Sequence, residues 1–435
     1  MEIPTFVLKI LERLHGAGHE AYIAGGAVRD MVLDRPATDW DVATSASPEA
    51  IQSLFQDVTN FALKHETITL VHEGRSYEVT PYKGSGHLGT HINEDLAHRD
   101  FTINAMAYDA MKAEVLDPWG GRKDIERKVV RAVGDPQERF YEDPLRLLRA
   151  VRISRELRFE IDKRTLEVLS RMAGLISAAA GERIRDEVMK LLMCRKPSPA
   201  FYLMKRTGLL KEILPELVEG YRKRQNALHR FTIFRHIMET VDRIKPEPVL
   251  RLTALLHDIA KPRVRQKEGG RFRFIGHEKA SAALAVEVMG RLKFGGDIKA
   301  QVSHLIEHHL DVMNYDSQWS DAALRRLIRR VGPRNIGLLL VLRRADLLAH
   351  GLPNELKLNL LDELEKRVGE IIKRPLALNS RDLAVDGRKV MDLLGLEEGP
   401  EVGRVLDHLM ERVMDEPELN TIEGLTALLN EMGSS

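Results

Sequence analysis

Ala21-Tyr22-Ile23-Ala24-Gly25-Gly26-Ala27-Val28-Arg29-Asp30 passes from a short apolar run through two glycines into a helical pattern that continues to Leu33. Glycine lets the backbone approach a phosphate closely, and a new helix presents unpaired N–H groups there. Arg29, within the first turn, adds a donor fork suited to a triphosphate, so Gly26 and Arg29 are candidate nucleotide contacts. Taken alone, a bland tight turn accounts for the glycines better. Asp39-Trp40-Asp41, a helix and a loop further on, carries the reading forward. On a strand, residues two apart project to the same side, so both carboxylates share one space while Trp40 faces the other. Converging hard oxygen ligands suit Mg²⁺, whose remaining positions go to nucleotide phosphates and water. Such a site serves phosphoryl transfer.

Outward from this pair, Ile68-Thr69-Leu70-Val71 and Tyr77-Glu78-Val79-Thr80, joined through Glu73-Gly74-Arg75, read as a hairpin, with Glu78 a candidate third carboxylate. Arg99-Asp100-Phe101-Thr102-Ile103-Asn104-Ala105 places an Arg–Asp pair before an apolar helical run. Glu142-Asp143-Pro144-Leu145-Arg146-Leu147-Leu148-Arg149-Ala150-Val151-Arg152 puts Asp143, Arg146 and Arg149 on one broad helix face. A salt-bridged surface helix is the plain alternative. The functional reading is base selection. An Asp accepts from an exocyclic amino group while a neighbouring Arg donates to the adjacent ring acceptor. Cytosine and adenine present that pattern; uracil and guanine place a carbonyl oxygen against the Asp and are rejected. Asp143 and Arg146 would thus select C and A without a template.

At 435 residues the chain exceeds what one core organises. After Asp135-Pro136 strand signals nearly vanish and helical periodicity runs to the end. Pro197-Ser198-Pro199, Lys245-Pro246-Glu247-Pro248 and Arg374-Pro375 punctuate it. The expected class is α+β: a small sheet domain over 1–135, then helical units over 136–224, 225–374 and 375–435. A formal net charge of only +1 means that any nucleic-acid surface comes from local clusters. Arg222-Lys223-Arg224 and Arg325-Arg326 with Arg329-Arg330 and Arg334 are such clusters, and solvated helix faces explain them as readily. The single cysteine, Cys194, excludes an intrachain disulfide and implies no disulfide-linked partner. Neither a signal peptide nor an apolar stretch long enough to span a bilayer is legible, so a cytoplasmic protein is expected.

A second constellation lies in the helical part. His257-Asp258 ends an apolar helical stretch, with His236 upstream and Asp346 downstream. Imidazole and carboxylate together suit Mn²⁺, Ni²⁺, Fe²⁺ or Zn²⁺. His277, His304, His308 and His309 fall between; surface or satisfied core positions explain them as well as ligation does.

The glycine turn, Asp39-Trp40-Asp41, Arg99 to Ala105, Glu142 to Arg146, and then Glu182-Arg183-Ile184-Arg185-Asp186-Glu187 resemble, in order, the motifs of class II tRNA nucleotidyltransferases and bacterial poly(A) polymerases. The resemblance implies a polymerase-β-type head followed by helical neck, body and tail. It also implies a metal on Asp39 and Asp41, triphosphate contacts from Gly26 and Arg29, and a nucleotide pocket using Arg99, Asp143, Arg146, Arg149 and Arg152. The partners it implies are tRNA, CTP and ATP. The order His236, His257-Asp258, Asp346 is similar to the HD phosphohydrolase superfamily. A poly(A) polymerase, or a regulatory HD phosphohydrolase with a nucleotide-binding head, are the alternative functions. One departure stands out: the stretch from Pro81 to Leu96 is shorter and richer in glycine than in many CCA-adding relatives, which resembles the CC-adding members.

Overall fold

The computed structural model describes residues 2–37, 39–58, 62–64, 67–84, 89–373 and 380–433. It divides into two compact units, Met1–Pro215 and Glu216–Ser435. The division falls shortly before the 224/225 boundary expected from sequence, because Gly220 and Lys223 are already tied to the next helix: Phe234 donates its backbone N–H to Gly220 and Ile233 donates to Lys223. The expected break at Arg374-Pro375 lies outside the described residues.

In the first unit, β1 (Ala21–Ala24), β2 (Asp41–Thr44), β3 (Ala62–Lys64), β4 (Thr67–His72), β5 (Arg75–Pro81), β6 (Ala107–Asp109) and β7 (Glu114–Leu116) form one sheet. Its order is β3-β4-β5-β2-β1-β6-β7. β4 and β5 are the expected hairpin. Glu73 and Gly74 turn it with φ of 50° and 75°, the left-handed pair that matches strand twist. β1 and β2 run antiparallel with Ala24 opposite Asp41, and β5 lies parallel to β2 with Glu78 beside Asp41. The end of β1, where the glycines sit, therefore meets the start of β2 at one sheet edge. The helix Thr5–Gly16 buries Val7, Ile10, Leu11 and Leu14, an i, i+3, i+4, i+7 stripe. Behind the sheet, β8 (Val129–Val130) pairs in parallel with β9 (Glu160–Ile161), and the helices Leu145–Leu157 and Gly181–Leu192 follow.

Three local expectations change. Asp39 precedes β2, which begins at Asp41, so the two carboxylates are not strand neighbours of one face. The apolar run after Arg99-Asp100 is a single 3-10 turn, Thr102–Asn104, leading into β6 and not a helix. Asp143 is extended, with φ −145° and ψ 99°, and stands outside the helix that carries Arg146. Pro144 is the reason, because its ring disfavours the helical conformation of the residue before it.

The second unit is helical apart from the hairpin β10 (Gln266–Glu268) and β11 (Arg271–Arg273). One apolar cluster gathers Leu305, Leu324, Leu327, Ile328, Leu339 and Leu364, and another gathers Val390, Leu409, Met410, Leu425 and Leu429 nearer the carboxyl end. No helix among the described residues is long and apolar enough to cross a membrane.

The arginine cluster on the helix Asp321–Val331 is consumed inside this unit. Arg326 pairs with Glu411 and Asp415, Arg329 with Asp407 and Glu411, and Arg330 with Asp311. Arg325 is buried and donates Nε to the Met414 carbonyl at 2.6 Å and Nη2 to the Asp415 carbonyl at 3.0 Å. It thereby satisfies the last carbonyls of the helix Pro400–Asp415, which a helix leaves without intrahelical donors. These side chains are structural and not a phosphate grip. Replacing Arg325 by Ala is expected to weaken the protection of residues 400–415 by about 2 kcal/mol. Amide exchange measures this, and unchanged protection there would refute the capping role.

Candidate active site and metal centre

At the sheet edge, Gly25 has φ 76°, and a Cβ there would lie 2.6 Å from Arg99 Nη1 and 3.5 Å from Asp41 Oδ2. Only glycine fits both the conformation and the close approach. Arg99 is held by Asp95, which accepts from its Nε at 3.1 Å, so its guanidinium is presented between the glycine turn and Asp41. Desolvation pushes the Asp41 carboxyl up to about 6; Arg99 pulls the other way, and the charges of Glu78 and Asp39 add to the rise. A carboxylate raised by burial, with like-charged neighbours adding to the rise, is one that a cation would relieve, so Asp39, Asp41 and Glu78 fit a divalent metal. Asp39 and Glu78 are exposed.

Four motifs are joined behind this edge by a run of charged groups. Arg29 is buried and donates Nη1 to Asn104 Oδ1 at 3.0 Å, while its Nε and Nη2 bind Asp30. Asn104 donates to Asp100 Oδ1 at 3.1 Å. Asp100 Oδ2 accepts from Arg149 Nε at 2.9 Å and Nη2 at 2.6 Å. Arg149 faces Glu187, whose other oxygen accepts from Arg152 Nε at 2.5 Å. Burial opposes ionisation of Asp100, but Arg149 and Asn104 outweigh it and hold the carboxyl at about 2. Arg29, Arg149 and Arg152, read from sequence as nucleotide contacts, are thus bonded to one another's motifs.

Asp143 and Arg146 are neighbours with separate partners. Arg183 donates to Asp143 through Nη1 at 3.0 Å and Nη2 at 2.8 Å, a parallel fork, and the Leu145 N–H adds a third bond. Burial raises the Asp143 carboxyl, and the Arg183 fork more than reverses that, so it is held below its ordinary value. Arg146 donates to Glu142 at 2.7 Å and to the His98 and Arg139 carbonyls. Arg183, Glu187 and Asn104 lay within quoted motifs without a role; their charge or amide complementarity to Asp143, Arg152 and Asp100 spans too many residues to be seen as pairing.

In the second unit the expected residues meet. Helices carry His236 (Ile233–Arg243) and Asp346 (Ile336–Ala349), and His257-Asp258 follows the helix Pro248–Leu256. His236 Nε2 lies 3.0 Å from Asp346 Oδ1 and 3.4 Å from Asp258 Oδ2, and His257 Nε2 lies 3.3 Å from the latter. His277 and His309 approach Asp258 Oδ1 at 3.4 and 3.9 Å. Among the described residues, two groups bring three ligand atoms within 4.8 Å of one another: His236, His257 and Asp346; and Asp258, His277 and His309. His277 and His309 are therefore part of the centre. His304 instead bonds the Val331 carbonyl and His308 bonds Asp311.

The rings are oriented for ligation. Nδ1 of His236, His257, His277 and His309 bonds the carbonyls of Ala349, Ala254, Phe274 and Ile306. A ring that donates from Nδ1 keeps the lone pair of Nε2 for a metal. Nε2 of His236, His257 and His277 and Oδ1 of Asp258 are buried without a hydrogen bond. His236 Nε2 and Asp346 Oδ1 are at ion-pair distance without a hydrogen bond between them. Buried polar atoms in this state are costly unless something else binds them, and this donor set fits a divalent transition metal. Burial disfavours a charged His236, yet Asp258 and Asp346 push it up to about 9. A metal ion would supply the same positive charge and release that proton. Lys261 Nζ bonds Asp258 Oδ2 at 2.5 Å and Arg343 bonds Asp346 Oδ2 at 2.6 Å. The Lys three residues after Asp258 is a signal of this pairing that the sequence itself carries.

Residues 21–131 match the poly A polymerase head domain, 158–220 the probable RNA and SrmB-binding site of polymerase A, and 229–350 the HD domain. Over 408 residues the chain is 33% identical to the CC-adding tRNA nucleotidyltransferase of Thermus thermophilus, covering 90% of this chain and 89% of that protein. The chain belongs to the tRNA nucleotidyltransferase family. It is 38% identical over 237 residues to the CCA-adding enzyme of Lactobacillus johnsonii, a match spanning 52% of this chain and only 58% of that protein. Its fold is similar to the crystal structure of the Bacillus stearothermophilus CCA-adding enzyme in complex with CTP, with a TM-score of 0.75 and 27% identity over 100% of this chain and 98% of that one.

In this family member the buried Asp100 carboxylate has an immediate test. Its value of about 2 lies below the ordinary 3.8, so its contribution to stability is full above the ordinary value and is lost as pH falls through about 2. Asp100→Ala removes the only carboxylate hydrogen-bonded to Arg149 among the described residues and is expected to destabilise the first unit by about 3 kcal/mol in urea unfolding at neutral pH. A change below 1 kcal/mol, on the order of a surface substitution, would refute the pairing as a structural support.

Proposed function

We propose that this chain is a template-independent tRNA nucleotidyltransferase that adds C from CTP to the tRNA 3′ end, with ATP as a second nucleotide and pyrophosphate as leaving group. The observation that carries this reading is the meeting of Gly25, Arg99, Asp41 and Glu78 at one sheet edge. There the RNA 3′-hydroxyl would attack the α-phosphate in line. Asp39 and Asp41 would hold Mg²⁺, which supplies charge stabilisation to the attacking and leaving oxygens. Gly26 and Arg99 would receive the triphosphate. Asp143 and Arg146 would read the base edge, and Arg29, Arg149 and Arg152 would act as the frame that positions them. The division into a head over 1–135, neck over 136–224, HD body over 225–374 and tail over 375–435 belongs to this reading, as does a cytoplasmic location.

The second unit is read as a phosphohydrolase. His236, His257, Asp346, Asp258, His277 and His309 would hold one or two ions among Mn²⁺, Ni²⁺, Fe²⁺ and Zn²⁺, and the ion would supply an activated water. The two chemistries occupy different units, so they separate by mutation. Asp41→Ala is expected to lower nucleotide addition at least ~10³-fold while sparing hydrolysis, and Asp258→Ala to do the reverse. Near wild-type tRNA extension by Asp41→Ala would overturn the head assignment. Absence of metal-dependent phosphoester hydrolysis by the wild type would overturn the second.

The extent of addition has its own support. The stretch expected to be short is drawn together where it is described: Gly89 donates to the Tyr82 carbonyl at 2.7 Å, and a Cβ at Gly89 would lie 2.7 Å from the Lys83 carbonyl oxygen. Ser85 to Leu88 lie outside the described residues. A shortened stretch would reshape poorly for the larger adenine, in keeping with the CC-adding relative. On tRNA ending in CC, single-turnover addition of A is expected to be ~10² slower than addition of C to the shorter transcripts. Equal rates would restore a full CCA-adding enzyme.

A further inference from the structure

The helix Gly181–Leu192 grips the segment from Asp143 to Arg152 through two side chains. Arg183 and Glu187 stand four residues apart and share a helix face, where opposite charges ordinarily pair with each other. Here each reaches across instead. Glu187 is buried and accepts from Arg152 Nε at 2.5 Å, while Arg183 forks onto Asp143 at 3.0 and 2.8 Å. Glu187 thus fixes the helix, and Arg183, one turn nearer its start, has a half-exposed side chain over an Asp143 that is a quarter exposed. Arg183 also lies in the first helical turn, the end at which the macrodipole disfavours a cation. The fork to Asp143 offsets that cost.

The fork limits what Asp143 can still accept. An ionised carboxylate offers about four lone-pair positions. Arg183 Nη1 and the Leu145 N–H take two on Oδ1, and Arg183 Nη2 takes one on Oδ2. Nothing else among the described residues bonds this carboxylate, which leaves about one acceptor position, on Oδ2. Bonds to both oxygens also resist rotation about Cβ–Cγ, so the plane of the group is fixed. Beside it, Arg146 spends Nη1 on Glu142 and the Arg139 carbonyl, and Nη2 on the His98 carbonyl. Its Nε bonds nothing among the described residues. A fixed acceptor and a spare donor are the complement of an amino group beside a ring acceptor.

We propose that Arg183 is a specificity-determining positioning residue: it stays on Asp143 when nucleotide binds and aims the remaining acceptor at the amino group of cytosine or adenine. The proposal rests on the reading of Asp143 and Arg146 as the base-selecting pair. With Arg183 in place, uracil or guanine brings a carbonyl oxygen against a carboxylate that cannot turn away. Nor can that carboxylate offer a proton, because the guanidinium overcomes burial and keeps it ionised. Without the fork the carboxylate turns about Cβ–Cγ, and the bond to the correct base is weakened. Choice of the base then depends on a side chain that does not itself touch the nucleotide.

Equilibrium binding of CTP and of UTP to the full-length protein, with Mg²⁺ and no RNA, reads this without turnover. Arg183→Gln is expected to weaken CTP about tenfold, the scale of one charge-assisted hydrogen bond, and to leave UTP unchanged. Arg183→Lys keeps the charge but not the fork and is expected to behave like Arg183→Gln. Asp143→Ala should by itself remove the preference for CTP, and adding Arg183→Gln to it should change nothing further. Urea unfolding establishes that each variant is folded, so equal losses for CTP and UTP count against the proposal. Tighter CTP binding, full recovery by Arg183→Lys, or an undiminished effect in the Asp143→Ala background overturns it too. A normal preference in Arg183→Gln, with Asp143→Ala having lost it, rejects the positioning role alone. A normal preference in Asp143→Ala rejects the base-selecting pair and the positioning role together.

Discussion

The buried run Arg29–Asn104–Asp100–Arg149–Glu187–Arg152 is the constraint on which the first unit depends. Arg29, Asp100 and Glu187 have been taken out of water, and each is tolerable only while its partner stays in place. That requirement joins the helix after the glycine turn to the turn after Arg99, and both to the helices Leu145–Leu157 and Gly181–Leu192. Apolar packing alone would let those elements slide by a fraction of a turn. Directional hydrogen bonds to buried charges do not, so the sheet edge and the Asp143–Arg183 pair are held in one register.

The arrangement at the sheet edge follows from this frame. Because Arg29 spends its guanidinium on Asp30 and Asn104, the cation beside Asp41 and Gly25 is Arg99, anchored by Asp95. Like-charge crowding at Asp41 is then relieved from one side only, which suits a site that completes its charge balance with a metal ion and a polyanionic substrate. The second unit uses the opposite arrangement. Its carboxylates, Asp258 and Asp346, are held well below their ordinary value against burial by His257, Lys261 and His236, and by His350 and Arg343. The first site is open at an edge and the second is enclosed. An open edge admits both RNA and nucleotide, whereas the enclosed set presents buried nitrogen and oxygen atoms to a small ligand.

The arginine-rich helix Asp321–Val331 shows how composition misleads. Its cluster has the density expected of a phosphate-binding face, yet Glu411, Asp407 and Asp415 face it from residues far along the chain. On the hairpin β10–β11, Arg273 pairs with Glu268 while Lys267 lies opposite Phe272. Charge becomes available for binding through what lies opposite it, and that is a property of pairing across the fold.

The α+β class, the β4–β5 hairpin, the glycine turn beside Asp41, and the convergence of His236, His257, Asp258 and Asp346 were all legible in the chain, because each rests on local periodicity or on motif order. The partners of Arg29, Asp143, Arg149 and Arg152 were not, and neither was the approach of His277 and His309 to Asp258. Pro144 was in plain view, and its steric demand on Asp143 was the local signal left unread. Spacing along a helix or strand tells which side chains share a face, since the backbone repeat is rigid over a few residues. Which of those side chains meets a substrate and which meets another buried charge depends on elements that are dozens of residues apart, and only their packing decides it.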